Sequence, residues 1–166
     1  MSDIHDCRAL RDAFGCFATG VTIVTGFDTD GTPVGFTANS FTSVSLDPPL
    51  LLVCPARTAS SLPAIRRTGR FGVSVLSVDQ QAVAERFAMR GVDRFGEGQW
   101  VESESGLRLL EGACANFDCT LVNDIEAGDH QLLVGRIDSF RSSADRVPLM
   151  YLRGRYALAP APGGAA

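Results

Sequence analysis

Apolar residues near the start of the chain recur at intervals of three or four, and they are Ile4, Cys7, Leu10, Phe14 and Phe17. This spacing puts them on one face of a helix, so it predicts an amphipathic helix over residues 3–18. Glycine is common just after the last turn of a helix. We therefore expect Gly20 to end this one.

After residue 20 the pattern changes to short apolar runs with turn residues between them. Residues 21–25 read VTIVT, residues 34–37 read VGFT, and the segment 28–33 between them contains Asp30-Gly31. β-branched runs on either side of an Asp-Gly turn predict a β-hairpin. Similar apolar runs predict further strands at 50–54, 71–75, 113–121, 131–140 and 148–158.

Helical patterns separate only some of these strands. Ser60 or Ser61 is predicted to cap a short helix that runs through Arg67. Residues 77–90 carry apolar side chains at helical spacing and predict another helix. The glycine-rich residues 91–106 predict a loop.

The predicted strands are short, frequent and separated mostly by turns. This arrangement predicts a mainly β chain with flanking helices, folded as a closed or nearly closed β-barrel and not as a doubly wound parallel sheet. A barrel also removes the exposed edges that so many apolar strands would present. The 166 residues fit one domain, predicted over residues 1–158, and the low-complexity residues 159–166 are expected to be disordered.

Composition and charge exclude several classes of function. The chain is 45% hydrophobic and 20% charged, with a formal net charge of −4, as in ordinary globular proteins. No basic stripe is present, which argues against a nucleic-acid partner. The longest apolar run, at 50–54, is too short to span a bilayer, and residues 1–6 begin no signal pattern. The expected compartment is the cytoplasm, without a membrane partner.

The chain has five cysteines and two histidines, which are Cys7, Cys16, Cys54, Cys114, Cys119, His5 and His130. The number of cysteines is odd, no pair has CxxC spacing, and the histidines complete no zinc ligand set. We therefore expect no metal site. The cysteines are expected to be reduced and mostly buried as small apolar residues.

Residues 34–54 combine apolar strand sequence with many small polar groups. Five of the six residues at 40–45 are hydroxyl-bearing or β-branched, no Lys or Arg occurs in the segment, and Asp47-Pro48-Pro49 forms a stiff turn. Small hydroxyls and an amide on rigid β-structure suit a ligand that needs neutral hydrogen bonds and close backbone approach. A phosphorylated flavin is such a ligand.

Motifs of several common enzyme classes are absent. The sequence contains no GxGxxG after a strand, no GxxxxGK[ST], no GxSxG and no HExxH. Serine–histidine catalysis is disfavoured, because His130 is the only candidate base and no triad is recognisable. A nicotinamide cofactor would therefore not be held by a Rossmann unit.

Several motifs match a known family in order and spacing over about 140 residues. They are FATGV at 17–21, GFTANSF at 35–41, SVSLDPPL at 43–50, SS at 60–61, FGVSVL at 71–76, GDH at 128–130 and RGRY at 153–156. Together they make the chain closely resemble the flavin reductases that serve as small components of two-component flavin-dependent monooxygenases.

The resemblance implies a split β-barrel of Greek-key type, the FMN-binding split barrel, usually as a homodimer that binds FAD or FMN. It further implies that NADH reduces the flavin and that reduced flavin passes transiently to a partner oxygenase. Two alternatives stay open. The chain could be a flavoprotein reductase of another acceptor, such as ferric iron or a corrinoid, or a non-catalytic flavin-binding module.

The resemblance also implies flavin-binding residues, and they are Thr37, Ala38, Asn39, Ser40, Ser43, Ser45, Cys54, Arg57, Ser60 and Ser61. Backbone N–H groups over residues 37–39 are expected to bond the flavin ring near N5/O4 and N1/O2, and Ala38 is small enough for close approach. The side chains of Asn39 and Ser40 are expected to reach the ribityl chain or the phosphate.

Phosphate binding is expected at the helix that follows residue 60. Ser60 and Ser61 offer hydroxyls and backbone amides there, and Arg57 adds charge, although simple helix capping is the alternative for both serines. Ser43 and Ser45 either contact the flavin or only reflect the alternating polarity of a barrel strand.

The motif Gly128-Asp129-His130 is expected to line the nicotinamide side of the flavin. His130 is the candidate catalytic residue, as a hydrogen-bonding group or a proton relay near neutral pH. Hydride transfer itself depends on stacking and orientation and needs no side-chain base.

Three aromatic residues have less specific assignments. Phe95 packs on the nicotinamide or adenine or only fastens a loop, Tyr156 faces the flavin or only closes the barrel, and Trp100 is assigned to packing. NADH is favoured over NADPH because no arginine cluster for a 2′-phosphate can be placed. FAD or FMN, and tightly bound or exchangeable flavin, stay open.

Overall fold

The structure of the protein, a computed structural model, describes residues 5–158. In chain order the elements are α1 (Cys7–Phe14), β1 (Thr19–Gly20), β2 (Thr22–Phe27), β3 (Pro33–Ala38), β4 (Thr42–Leu46), β5 (Pro49–Val53), α2 (Leu62–Thr68), β6 (Arg70–Val75), a 3-10 turn (Val78–Gln80), α3 (Gln81–Ala88), β7 (Trp100–Glu102), β8 (Arg108–Leu110), β9 (Ala115–Ala127), β10 (His130–Ser142), β11 (Leu149–Leu152) and β12 (Arg155–Leu158). The predicted disordered segment 159–166 lies outside the described residues.

The first helix is shorter than the apolar spacing predicts. Asp6 begins it, because its carboxylate accepts the backbone N–H groups of Arg8 and Ala9 at 3.0 and 3.1 Å. The helix ends at Gly15, and Gly20 lies in β1 instead of closing the helix. The apolar spacing therefore continues to Phe17, beyond the end of the helix. Its first member, Ile4, lies outside the described residues.

Two further expectations for local structure need correction. The predicted loop 91–106 contains β7, which pairs with β8 in a small hairpin. The predicted strand 148–158 consists of two strands, β11 and β12, joined by Arg153 and Gly154. Both joining residues have positive φ, 49° and 75°, as a two-residue hairpin turn requires.

Seven strands form one antiparallel sheet in the order β3-β2-β6-β9-β10-β5-β4. If this sheet were flat, its edges β3 and β4 would lie roughly 29 Å apart, since neighbouring strands are about 4.8 Å apart. The chain passes from Ala38 to Thr42 in four residue steps, which span at most about 14 Å. The sheet must therefore curl until its edges approach, and it forms a barrel that is open between β3 and β4.

The core lies on both faces of β2. Val24 packs inside the barrel with Phe71 and Leu133, whereas its neighbour Ile23 packs on the other face with Phe87 of α3. Successive side chains of a strand point to opposite faces. The unbroken β-branched run at 21–25 is explained by this burial on both faces.

A buried carboxylate fastens the β7–β8 hairpin to the barrel. Asp118 of β9 is 2% exposed, accepts the Ser105 hydroxyl at 2.5 Å and pairs with the Arg70 guanidinium at 2.9 Å. Burial alone would raise the pKa of Asp118, but hydrogen bonds from serine hydroxyls and from Arg70 outweigh it and lower that pKa. The ionised form is therefore the one that the fold stabilises.

The five cysteines are free thiols, but the expectation that most are buried is wrong. Only Cys119 is buried, and burial raises the pKa of its thiol. Cys54 and Cys114 are half-buried, while Cys7 and Cys16 are exposed. Cys7 lies in α1, which has no buried residue, and Cys16 lies in the turn that follows this helix.

Candidate functional site

Two neighbouring clefts open along the edge strand β3. The arginine cleft, of about 600 Å³, lies between β3, the loop before α2 and the end of α3. Its defining residues are Gly35, Thr37, Thr58, Ser60, Ser61, Arg90 and Arg94. The outer cleft, of about 560 Å³, includes Phe95 and Arg108. Gly35, Ser60 and Arg94 line both clefts, so the two form one continuous space.

Two pockets continue the groove past the other end of β3. The tyrosine pocket, of about 210 Å³, is lined by Val21, Thr37, Asn39, Ala88, Tyr151 and Tyr156. The N-terminal pocket, of about 720 Å³, is defined by Arg11, Phe14, Phe17, Asn39, Tyr151 and Arg153. Thr37 joins the tyrosine pocket to the arginine cleft, and Asn39 joins it to the N-terminal pocket. From residue 33 to residue 39 the groove follows roughly 20 Å of extended chain.

The free edge of β3 supplies backbone hydrogen-bonding groups to this groove. Asp28 N–H donates to the Thr32 carbonyl at 2.9 Å, which sets the phase of the antiparallel ladder between β2 and β3. Because hydrogen-bonded and non-hydrogen-bonded pairs alternate, Ala38 bonds β2, whereas Gly35 and Thr37 direct their N–H and C=O groups away from it. Of residues 37–39, whose backbone N–H groups were expected to bond the flavin, Ala38 is therefore bonded to β2 and Thr37 is free along this edge.

Gly35 has no room for a side chain. A Cβ at this position would lie 2.7 Å from the Val24 carbonyl oxygen and 2.8 Å from Cε1 of Phe87. The glycine lets α3 pack directly against β3 and brings the end of α3 to the arginine cleft. The sequence analysis did not select Gly35 as a site residue.

The arginine cleft is positively charged. Arg90 and Arg94 line it, and no carboxylate among residues 5–158 does. Arg94 is held by its Nε and Nη2, which donate to the carbonyls of Phe87 and Met89 at 3.1 and 2.7 Å. The side chain of Arg90 makes no hydrogen bond or ion pair within residues 5–158. Neither arginine was selected from the sequence, because both lie more than 50 residues from β3.

Ser60 and Ser61 both line the arginine cleft, as the sequence analysis expected of a shared site. Ser61 is the N-cap residue of α2, yet its side chain makes no capping hydrogen bond. It is also only 2% exposed. The alternative interpretation, in which the Ser61 side chain only caps α2, is therefore not observed.

Phe95 both lines the outer cleft and fastens its loop to the core. Its ring lies 5.0 Å from that of Phe87 and 4.9 Å from that of Trp100, measured between centroids. Trp100 in turn contacts Phe87 at 5.4 Å, so its assignment to packing is confirmed. The Arg108 guanidinium stands 5.7 Å over the Phe95 ring, which leaves its charge at the outer cleft.

The tyrosine pocket brings together three of the predicted residues, Thr37, Asn39 and Tyr156. Thr37 donates its hydroxyl to the Ala84 carbonyl at 2.6 Å, which joins β3 to α3. Tyr156 packs edge-to-face on Tyr151 at 5.4 Å. Burial, and then the nearby Glu85 and Tyr151, raise the pKa of Tyr156, so its hydroxyl stays a neutral hydrogen-bonding group.

The Gly128-Asp129-His130 turn borders the loop that leads to the arginine cleft. Arg57 N–H donates to the Asp129 carbonyl at 2.9 Å, and His130 forms a β-bridge with Ala56, which lines that cleft. His130 Nδ1 lies 2.7 Å from an Asp129 carboxylate oxygen, and the ring stays about half exposed. His130 is thus next to the cleft but does not line it.

Five predicted residues lie apart from the groove or are engaged elsewhere. Ser40 accepts the Cys54 N–H at 2.9 Å and fastens the β3–β4 connection to β5. Ser43 and Ser45 lie on β4, the opposite edge of the seven-stranded sheet from β3. Arg57 forms an ion pair with Glu126 instead of lining the arginine cleft. Ser43, Ser45 and Cys54 line none of the four cavities of the groove.

Two classes of site are not visible in the part of the chain that the structure describes. No group of three or more His, Cys, Asp and Glu side chains there is arranged to hold a metal ion. Among the same residues no helix is long and apolar enough to cross a membrane.

Comparison with protein families decides what kind of chain carries this groove. The family model described as a flavin reductase like domain matches residues 14–159. The chain belongs to the flavin reductase-like family. The match covers most of the chain and includes every element that lines the groove except α1, of which it includes only Phe14. The resemblance to flavin reductases and the predicted split β-barrel are both confirmed.

Individual relatives of this flavin reductase-like chain agree with the family model. A probable flavin reductase of Rhizobium meliloti (strain 1021) is 48% identical over 93% of this chain and 50% of its own. The reductase subunit HsaB of a flavin-dependent monooxygenase of Rhodococcus jostii (strain RHA1) is 44% identical over 91% of this chain and 77% of its own. The chain thus spans about half the length of the first of these relatives.

A solved structure is similar over almost the whole length of both chains. The NADH:FAD oxidoreductase SgcE6 of Streptomyces globisporus C-1027, in complex with NAD and FAD fragments, superposes with a TM-score of 0.93. The two sequences are 37% identical, and the match covers 99% of each chain.

Proposed function

We propose that this chain is an NADH-dependent flavin reductase that supplies reduced flavin to a separate oxygenase. The observation that carries the proposal is the edge of β3, where the free backbone groups of Gly35 and Thr37 enter a cleft that, within the described part of the chain, has two arginines and no carboxylate. The names of the relatives support the same activity, since they include a monooxygenase reductase subunit and an NADH:FAD oxidoreductase.

The residues of the groove fit a phosphorylated flavin. Backbone N–H and C=O groups of Gly35 and Thr37 match the alternating acceptors and donor on the edge of the flavin ring. Arg90, Arg94 and the hydroxyls of Ser60 and Ser61 match a phosphate, because charge-assisted hydrogen bonds are the stronger ones that phosphates make. The positive charge that residues 34–54 lack is thus supplied by the segment that follows α3.

Bound flavin supplies the chemistry of hydride acceptance, and the chain supplies binding and orientation. Fixed backbone dipoles on β3 need no reorganisation when charge develops next to them. We assign His130 to the nicotinamide side of the site, where its Nε2 can bond the dinucleotide while Nδ1 is held by Asp129. The pH dependence of the rate of NADH oxidation tests whether His130 also moves a proton.

The choice of cofactors is part of the proposal. NADPH was disfavoured because the sequence shows no arginine cluster, but Arg90, Arg94 and Arg108 line the joined clefts together with the carboxylate of Asp93. That argument against NADPH no longer holds. NADH is proposed because of the NADH:FAD oxidoreductase relative, and both FAD and FMN carry the phosphate that the cleft fits.

We further propose that the chain forms a homodimer and meets its oxygenase only transiently. Large apolar side chains that are exposed in one copy support the dimer, and they include Val44 at 49% and Leu46 at 96% exposure, both on the edge strand β4. Isolated apolar residues on a surface need no explanation, but exposed apolar residues close together on an edge strand indicate an interface. The cytoplasm stays a prediction from the sequence.

Steady-state oxidation of NADH with and without added free flavin tests the proposed function. A rate that rises saturably with free FAD or FMN is the expected result. A rate that requires ferric iron or a corrinoid would identify a reductase of another acceptor. Flavin binding without any NADH oxidation would identify a binding module, and either of these outcomes overturns the proposal.

A further inference from the structure

The N-terminal pocket is the largest cavity of the groove and has no role in the proposed function as stated so far. It lies between the end of α1 and the β11–β12 turn, and it opens into the tyrosine pocket at Asn39 and Tyr151. Its volume of about 720 Å³ is within the usual range for small-molecule sites, whereas the tyrosine pocket is smaller than that range. The tyrosine pocket is therefore a neck between two larger spaces.

The two walls of the N-terminal pocket are fixed to each other. Arg153 N–H donates to the Gly15 carbonyl at 2.7 Å. A Cβ on Gly15 would lie only 3.2 Å from the Arg153 Cα, so a larger residue would separate the walls. Arg153 itself has φ 49°, a backbone conformation that most residues adopt rarely. The turn between β11 and β12 thus holds its arginine at the mouth of the pocket.

The lining of this pocket is aromatic and poorly covered. Phe14 and Phe17 line it while 70% and 77% exposed, and Tyr151, on the strand that pairs with β1, lines it as well. Apolar area left in water costs free energy. Exposed aromatic rings beside an open space suit a flat aromatic ligand that stacks on them.

The charge of the lining adds a second requirement. Arg11 and Arg153 line the pocket together with one carboxylate of the described residues, that of Asp12. The side chains of both arginines lack a hydrogen bond or ion pair with any residue in 5–158, so their charge is available to an anionic ligand.

We propose that the N-terminal pocket binds the adenosine phosphate half of a dinucleotide whose reactive ring lies in the groove along β3. This half combines a flat aromatic base with negative phosphates, which is what Phe17, Tyr151, Arg11 and Arg153 fit. FAD and NADH both carry it, whereas FMN and reduced nicotinamide mononucleotide lack it. The inference rests on the proposed function, because that function brings dinucleotides to the groove.

Calorimetric titration separates the two sources of adenosine phosphate. Dissociation constants of FAD, FMN, NAD⁺ and nicotinamide mononucleotide are measured for the unchanged protein and for Phe17→Leu and Arg11→Gln. The matched controls are Phe140→Leu, an equally exposed phenylalanine on β10, and Arg8→Gln on the same helix. Neither control residue lines the N-terminal pocket.

We expect the Kd of one dinucleotide to rise roughly five- to ten-fold in Phe17→Leu, as loss of base stacking predicts, while its mononucleotide binds as before. A rise for FAD but not FMN assigns the pocket to the flavin. A rise for NAD⁺ but not nicotinamide mononucleotide assigns it to the nicotinamide dinucleotide. Thermal melting shows that each variant is folded.

Two results overturn this inference. Either no dinucleotide binds more weakly in the variants than in the controls, or each mononucleotide weakens as much as its dinucleotide. The proposed function fails on a different observation, the absence of flavin-dependent NADH oxidation by the unchanged protein. The two failures are therefore distinguishable.

Discussion

Replacing Gly35 by alanine tests whether close packing of α3 on β3 shapes the groove. The added Cβ would lie 2.7 Å from the Val24 carbonyl oxygen and 2.8 Å from Cε1 of Phe87. The first of these contacts is with backbone, and Phe87 is only 1% exposed in the core, so neither neighbour can turn away easily. Either β3 or α3 has to shift.

Overpacking of this kind costs about 1–3 kcal/mol of folding stability. Urea unfolding followed by circular dichroism measures it as a lower midpoint with an unchanged m-value. Because Gly35 and Thr37 present the free edge of β3, we also expect the shift to raise the Kd of FMN. Gly20→Ala is the control, since a Cβ on Gly20 meets nothing within 4 Å.

The reasoning is refuted if Gly35→Ala is as stable as the unchanged protein and binds FMN with the same affinity. Equal losses in Gly35→Ala and Gly20→Ala would also refute it. In that case the cost would come from placing alanine in a strand and not from the contact between β3 and α3.

Three further predictions follow from the site and the core. His130→Ala is expected to raise the KM for NADH while the Kd of FMN stays unchanged, and unaltered turnover with unaltered KM contradicts the assignment of His130. Arg90→Gln is expected to raise the Kd of FMN roughly ten-fold or more, as loss of a charge-assisted hydrogen bond predicts, but to leave riboflavin binding unaffected. Equal effects on FMN and riboflavin would show that Arg90 does not meet the phosphate. Because the folded-state pKa of Asp118 is lowered, its ionised form stabilises the fold above the unfolded value of about 3.9, and this stability is lost as the pH falls further. Thermal melting from pH 7 to pH 3 should therefore show a smaller loss of Tm in Asp118→Asn than in the unchanged protein, and parallel curves would contradict this.

The sequence predicted the elements whose signals are local. The hairpin of β2 and β3 follows from a β-branched run around an Asp-Gly turn, and α2 begins at Leu62, directly after the predicted serine pair. These two predictions succeeded because they depend on backbone preferences and on residues that are close in the chain. The ordered motifs identified the family, whereas phosphate binding by Ser60 and Ser61 stays a prediction.

Predictions that depended on distant neighbours were incomplete. The helix over residues 3–18 is shorter because Asp6 and Gly15 fix its ends, and apolar spacing does not report caps. Gly35 was not selected, because its need for close packing comes from Phe87, 52 residues further along the chain. Arg57, which was selected for phosphate, pairs with Glu126 near the end of β9 instead.

The sequence by itself therefore determined the family, the mainly β fold and the segment of the chain that forms one wall of the groove. Only the tertiary structure decided which groups of that wall are free, because β3 pairs with β2 on one side alone and the ladder register leaves Gly35 and Thr37 unbonded there. It also decided where the positive charge comes from. The barrel curls until α3 lies against β3, and this packing carries Arg90 and Arg94 to a segment that has no Lys or Arg of its own.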